Sequence, residues 1–344
     1  MIKKPPLRWL LILLACALLA HLLLAINLPP VIATLVVLLL TGWLPGILLV
    51  EVLVGQSEAP PTAEEYVLYA LGTGYAIIVL VMLGLSYWPG PIAAWQTYLA
   101  FDLTLVLLAL WVWVQARHSS HSITHHALIT NHWSLVTSLA LLLLVGGFLR
   151  FANLGYAEFH GDEARAVLRA AGVIQGYDDV LFLHKKGPAE VLLPAVVFSL
   201  VGRLDEASAR LPFAVANLAV LLAVFALGRR MLGTLAGWAA AFLLAFDGYL
   251  IAFAHFVQYQ SLVLLTSALV VLIVYRLVRW PKALANYGVL AAILWVTGLW
   301  GHYDAAAVAA PVLFLVGVLC WHERLRWRPL VRAAWPALGV GSLL

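Results

Sequence analysis

Apolar residues fill this chain in long blocks rather than in alternation. The blocks run at about 8–27, 31–54, 66–87, 92–114, 133–151, 188–202, 211–228, 235–254, 259–278, 286–301 and 305–321, with an unfinished one at 333–344. Most are near the roughly twenty residues that carry a helix across ~30 Å of hydrocarbon. A transmembrane barrel would show segments of roughly ten residues alternating in polarity instead. The pattern therefore predicts an all-α, polytopic transmembrane protein whose backbone polar groups are satisfied within helices. The block at 188–202 stands out: it is short, it carries Glu190 and Pro194, and Arg203 follows it. The final block stops at Leu344 in mid-run, which reads as a truncated product with further spans missing.

Composition agrees: 64% of residues are hydrophobic and 10% are charged, with a mean hydropathy of +1.00. The start, with Lys3, Lys4 and Arg8, resembles a signal peptide, but its apolar run is too long for a cleaved segment and reads as a retained first span. Cys16 and Cys320 have neither disulfide nor metal-ligand spacing. In such a chain Lys and Arg report orientation, and the net charge of +4 does not point to a nucleic-acid partner. If 188–202 lies along the surface instead of crossing, Lys3, Lys4, Arg8, Arg117, Arg229, Arg230, Arg276, Arg279, Lys282, Arg324, Arg326, Arg328 and Arg332 fall on one side. The connections near 28–30, 88–91, 255–258 and 302–304 fall on the other and carry no Lys or Arg. The positive-inside rule then puts the N-terminus in the cytoplasm and residues 152–210 outside.

That outer segment breaks the charge rule. It holds Arg165, Arg169, Lys185, Lys186, Arg203 and Arg210, with Arg150 at its edge. An anionic ligand at the membrane surface would account for them; so would simple balance against Asp162, Glu163, Asp178, Asp179, Asp205 and Glu206. Its densest part, Glu158–Ala171, reads as a helix start with an acid at or near the N-cap. Asp162, Arg165 and Arg169 then share one face, and Val167, Ala170, Ala171 and Ile174 give an apolar side. A carboxylate so placed suits proton transfer from an attacking hydroxyl or amine, and a capping Asp with surface ion pairs fits the same spacing. The turn His184-Lys-Lys-Gly-Pro188 concentrates positive charge where a phosphate, or ordinary lipid headgroups, would meet it. Two further outer connections, His255-Phe-Val-Gln-Tyr-Gln260 and His302-Tyr-Asp304, bring polar groups to the same level. Asp102 and Asp247 are acids inside apolar blocks, the usual mark of a cavity-facing group. On the cytoplasmic side, Thr62-x-x-Glu65 reads as a capping box. His118, His121, His125 and His126 read as a polar linker rather than a metal site.

Four motifs in order resemble the GT-C class of membrane glycosyltransferases: Gly161-Asp-Glu-Ala-Arg165, Lys185-Lys-Gly-Pro188, Glu206-Ala-Ser-Ala-Arg-Leu-Pro212 and Leu227-Gly-Arg-Arg-Met-Leu-Gly233. They are similar to the protein O-mannosyltransferase and lipid A aminoarabinose transferase group in particular. The resemblance implies a GT-C-type fold of about ten complete spans plus a partial one, with a helical external loop lying on the membrane. It divides the chain into an accessory four-span module at 1–130 and a core at 131–344. It implies transfer of a sugar, with inversion, from a polyprenyl-phosphate donor to a protein, lipid or glycan acceptor outside a cytoplasmic membrane. Asp162 and Glu163 would be catalytic. Arg165, Lys185, Lys186, Arg210, His255, Gln260, His302 and Asp304 would bind substrate or lipid phosphate. Membrane lipids and the lipid-linked donor are the partners implied, with no cofactor beyond that donor. The chain departs from the family at Ala166 and Leu168, where Tyr and a second Glu are usual, and at Lys185-Lys-Gly-Pro188. It also has Gln260 where a second acid is common, which gives no support to a divalent metal, and His255 where Arg is usual. A transporter or lipid flippase, and an inactive GT-C-like scaffold, are the competing functional readings.

Overall fold

The computed structural model describes residues 7–118, 133–177, 179–322, 335–336 and 339–341. His121, His125 and His126 lie outside them, as does most of the final apolar block. Among the described residues there is no strand. The helices are α1 (Leu7–Ala25), α2 (Pro30–Leu38), α3 (Leu44–Val54), α4 (Ala63–Ser86), α5 (Ala94–His118), α6 (Trp133–Phe151), α7 (Gly161–Ile174), α8 (Ala189–Val201), α9 (Glu206–Leu232), α10 (Thr234–Ala245), α11 (Gly248–Ala254), α12 (Gln260–Arg279), α13 (Leu284–Gly301) and α14 (Ala309–His322). A π-helical turn, Leu39–Trp43, joins α2 to α3.

Seven spans among the described residues are long and apolar enough to cross a membrane: α1, the continuous α2–α3, α4, α5, α9, α12 and α13. An eighth is the pair α10 and α11, bent by 66°. Shorter apolar stretches lie in α6 and in the segment from Tyr303 through α14, so the described residues hold seven or eight spans against the ten expected from the sequence. Buried Arg150 of α6 braces the bend: its guanidinium donates to the carbonyls of Leu244 and Ala245 in the last turn of α10. Asp247, read as a cavity acid, instead caps α11 by accepting the Leu250 N–H at 2.8 Å. Asp102 bridges from α5 to His21 of α1 at 3.0 Å.

The short block becomes α8, about 20 Å long and buried on every side by α7, α4, α2, α9, α5 and α13. Both of its ends meet the same end of the bundle. Before it, the Gly187 N–H donates to the Gly301 carbonyl at 3.1 Å. After it, Arg203 donates to the Leu28 carbonyl at 2.9 Å. Residues 28 and 301 both belong to the end expected to face outside, so α8 lies across that end and does not span. Thr97 and Ser199 share a buried hydrogen bond of 2.6 Å that holds α8 to α5. The largest core cluster draws on α2–α5 as well as on α7–α9, α12 and α13, so three of the first four spans pack into the rest of the molecule.

Candidate functional site

The helix α7 starts two residues earlier than an Asp162 cap would require. His160 is the N-cap, Asp162 is the second helical residue and Glu163 the third. Glu163 reaches back to accept the His160 N–H at 3.0 Å, closing a capping box with histidine in place of Ser or Thr. The same carboxylate takes a two-pronged bond from Arg210 at 2.8 and 2.9 Å and accepts the Val257 N–H at 2.9 Å. Arg210 spends its remaining donors on the carbonyls of Leu154, Ala157 and Glu158. All five N–H groups of the guanidinium are therefore used inside the protein. Buried and fully bonded, the pair ties the start of α7 to α9 and to the connection before α12, and it leaves Arg210 no donor for a phosphate.

Asp162 differs from its neighbour. Its side chain is 44% exposed, and its partner Arg165, at 3.3 Å, is 73% exposed. Such a pair contributes on the order of 0–1 kcal/mol and holds neither group in place. Seven residues further along α7, Arg169 turns inward to His184 Nδ1 at 2.6 Å and to the Leu183 carbonyl at 2.9 Å. A guanidinium can only donate, so Nδ1 accepts and Nε2 carries the proton. Nε2 then donates to buried Glu190 at 3.0 Å, and the other oxygen of Glu190 accepts from Lys186 at 3.2 Å. The result is one hydrogen-bonded chain, Arg169–His184–Glu190–Lys186, running beneath the lysine turn. Lys186 Nζ also lies over the Tyr259 ring, 5.4 Å from its centre.

Tyr259 links this chain to the last connection. Its ring stacks on His302 at 3.9 Å, and its hydroxyl donates to Asp304 at 3.4 Å. Burial and then the Asp304 charge push the phenol up to about 12, so it stays a donor at any ordinary pH. The Asp304 N–H caps back to His302 Nδ1 at 3.2 Å. Gly187 makes the approach of the two loops possible, because a Cβ there would run into the Trp300 carbonyl.

Residues 185–344 match the family model of dolichyl-phosphate-mannose-protein mannosyltransferase. That stretch is mannosyltransferase-like. The match supports a membrane glycosyltransferase of the GT-C type, and with the apolar helices it makes the chain an integral membrane protein. No curated protein and no solved structure matches the chain.

The match opens at the lysine turn, so Lys185, Lys186, Arg210, His255, Gln260, His302 and Asp304 lie within the mannosyltransferase-like stretch, while Asp162, Glu163 and Arg165 precede it. Lys186, His302 and Asp304 come together around Tyr259. Lys185 is exposed beside them, with no ion pair among the described residues. His255 is turned away: its ring nitrogens face the carbonyls of Ile251 and Ala152, both at 3.0 Å. The Gln260 side-chain oxygen is buried without a hydrogen-bond partner. No three His, Cys, Asp or Glu residues among the described residues converge as metal ligands do. Sequence reasoning placed His184 and Glu190 with the lysine turn and Tyr259 in an outer connection, but gave none of them a role and did not join the two groups. A signal for Glu190 was present: a carboxylate inside an apolar block, four residues after Lys186.

Proposed function

We propose that this protein transfers a sugar from a polyprenyl-phosphate donor to an acceptor at the end of the bundle formed by residues 152–205, the extracytoplasmic face of the cytoplasmic membrane. The positive-inside rule supports that orientation, since Arg8, Arg117, Arg229, Arg230, Arg276, Arg279 and Lys282 all lie at the opposite end. The observation that carries the reading is the division of labour between adjacent acids. Glu163 is consumed by Arg210 and by the backbone N–H groups of His160 and Val257, while Asp162, on the rigid helix start they create, keeps an open carboxylate.

In this scheme Asp162 accepts the proton of the acceptor's hydroxyl or amine as that group forms its bond to the anomeric carbon. The bond from the anomeric carbon to the phosphate oxygen breaks, the electron pair leaves on polyprenyl phosphate, and the configuration inverts. Charge develops on the departing phosphate, where fixed cations lower the barrier. Lys186 is set for this by Glu190 and the Tyr259 ring, with Lys185 and Arg165 as exposed companions. Glu163 and Arg210 act by holding the frame, and His302 and Asp304 by holding Tyr259 under Lys186. The test is release of polyprenyl phosphate from a polyprenyl-phosphate sugar by the purified protein. Asp162→Asn should lower turnover by roughly 10²–10⁴-fold without unfolding the protein; full activity in that variant would remove Asp162 from the mechanism.

A further inference from the structure

At the other end of the bundle, the last turns of α9 and α12 carry Arg229, Arg230, Arg276 and Arg279. Cations at helix C-termini meet the helix dipole favourably, but here they exceed the acids that face them. Arg229 pairs with Glu64, whereas Arg230 and Arg276 both draw on the single carboxylate of Glu65. Arg279 has no carboxylate partner among the described residues; its guanidinium donates to the Tyr275 hydroxyl at 3.3 Å. Three guanidiniums thus share one negative charge. They surround a cavity of 80 Å³ whose walls are Arg230, Tyr275, Arg276, Arg279 and Trp280. One water takes up roughly 30 Å³ of the liquid, so the space admits a group of several heavy atoms.

A second observation points the same way. Arg276 is 3% exposed, and its Nη groups are satisfied by Glu65 and by the carbonyls of Ala59 and Pro60. Its Nε–H is buried with no acceptor. A buried donor left unpaired on a charged group is costly, so Arg276 carries positive charge that the protein's own acceptors do not fully use. The aromatic walls fit too, since Trp280 lies under both Arg230 and Arg276 and Tyr275 under Arg279, which keeps the guanidinium planes fixed as forks.

We infer that the cavity among Arg230, Arg276 and Arg279 is a phosphate-binding site, taking either the phosphodiester of an anionic lipid headgroup or a free phosphate. It lies at the opposite end of the molecule from Asp162 and does not depend on the transferase reading. The test uses the purified full chain, stripped of lipid in a neutral detergent and followed by native mass spectrometry. It is titrated with phosphatidylglycerol, with phosphatidylcholine of the same acyl chains, and with inorganic phosphate. Phosphatidylglycerol should bind about tenfold more tightly than phosphatidylcholine, and Arg279→Gln should weaken it by about tenfold, the scale of one charge-assisted hydrogen bond. Arg203→Gln, at the far end, should leave binding unchanged. Binding of phosphatidylglycerol assigns the headgroup as ligand; binding of inorganic phosphate alone, with the same sensitivity to Arg279→Gln, assigns the free anion. Arg279→Gln was chosen because it breaks no ion pair, and Trp280→Leu gives a second variant that removes the wall and keeps the charge. If both variants bind both probes as the parent does, the site is not there.

Discussion

The two ends of the bundle are built on one device with different outcomes. Each has a pair of adjacent acids in the first turn of a helix: Glu64-Glu65 in α4 and Asp162-Glu163 in α7. In each, the second acid reaches back to the N-cap N–H at 3.0 Å and takes an arginine from α9. Arg230 serves one end and Arg210 the other, so a single helix is pinned twice. The first acids part company. Glu64 is taken by Arg229, which closes that end around carboxylates already shared out. Asp162 meets only an exposed arginine one turn away and stays open. A lock and an open carboxylate can therefore come from neighbouring residues, provided one is turned inward and fully bonded and the other is turned out.

The sharpest way to break this comparison is to unlock it. Arg210→Ala leaves Glu163 buried and uncompensated, and stability should fall by about 3–5 kcal/mol. Thermal unfolding in detergent would show it, and a loss below ~1 kcal/mol would mean that the pair is not the anchor of α7. Asp162→Asn should lower turnover by roughly 10²–10⁴-fold while changing stability by less than about 1 kcal/mol. Glu64→Gln, its counterpart at the other end, should leave turnover alone, and equal losses in the two variants would erase the distinction drawn between the ends. Gly187→Ala should cost about 1–3 kcal/mol by forcing the lysine turn off the Trp300 carbonyl, and donor KM should rise more than kcat falls. Thr97→Ala, which removes the bond from α5 to α8, should cost about 1 kcal/mol. A neutral result there would show that α8 is held without it.

Much of the architecture was legible because hydrophobic blocks and charge placement answer to the membrane itself. The odd block at 188–202, expected from the sidedness of basic residues to lie along the membrane surface, is a short helix enclosed by protein. What was not legible was its surroundings: an apolar helix resting on lipid and one enclosed by protein have the same composition, and only packing separates them. The cations around 152–210 show the same limit. Arg150, Arg169, Arg203 and Arg210 each donate to backbone carbonyls at helix ends and in turns. No spacing rule announces which carbonyls those will be. The expected capping box at Thr62-x-x-Glu65 was readable, since it is local; that Glu65 also gathers arginines from α9 and α12 was not, since those partners are more than 160 residues away.

By itself the sequence determined the helical class, the apolar blocks that become its helices and the segment where charged residues gather. Those follow from the cost of bringing backbone and charge into hydrocarbon, which each stretch of chain meets on its own. Only the tertiary structure decided which acid of Asp162-Glu163 stays open, that Lys186 rests on Glu190 and Tyr259, and that Arg276 keeps a buried donor without a partner. Those depend on which distant groups arrive at hydrogen-bond distance, and a buried carboxylate or guanidinium is defined by the partners that reach it.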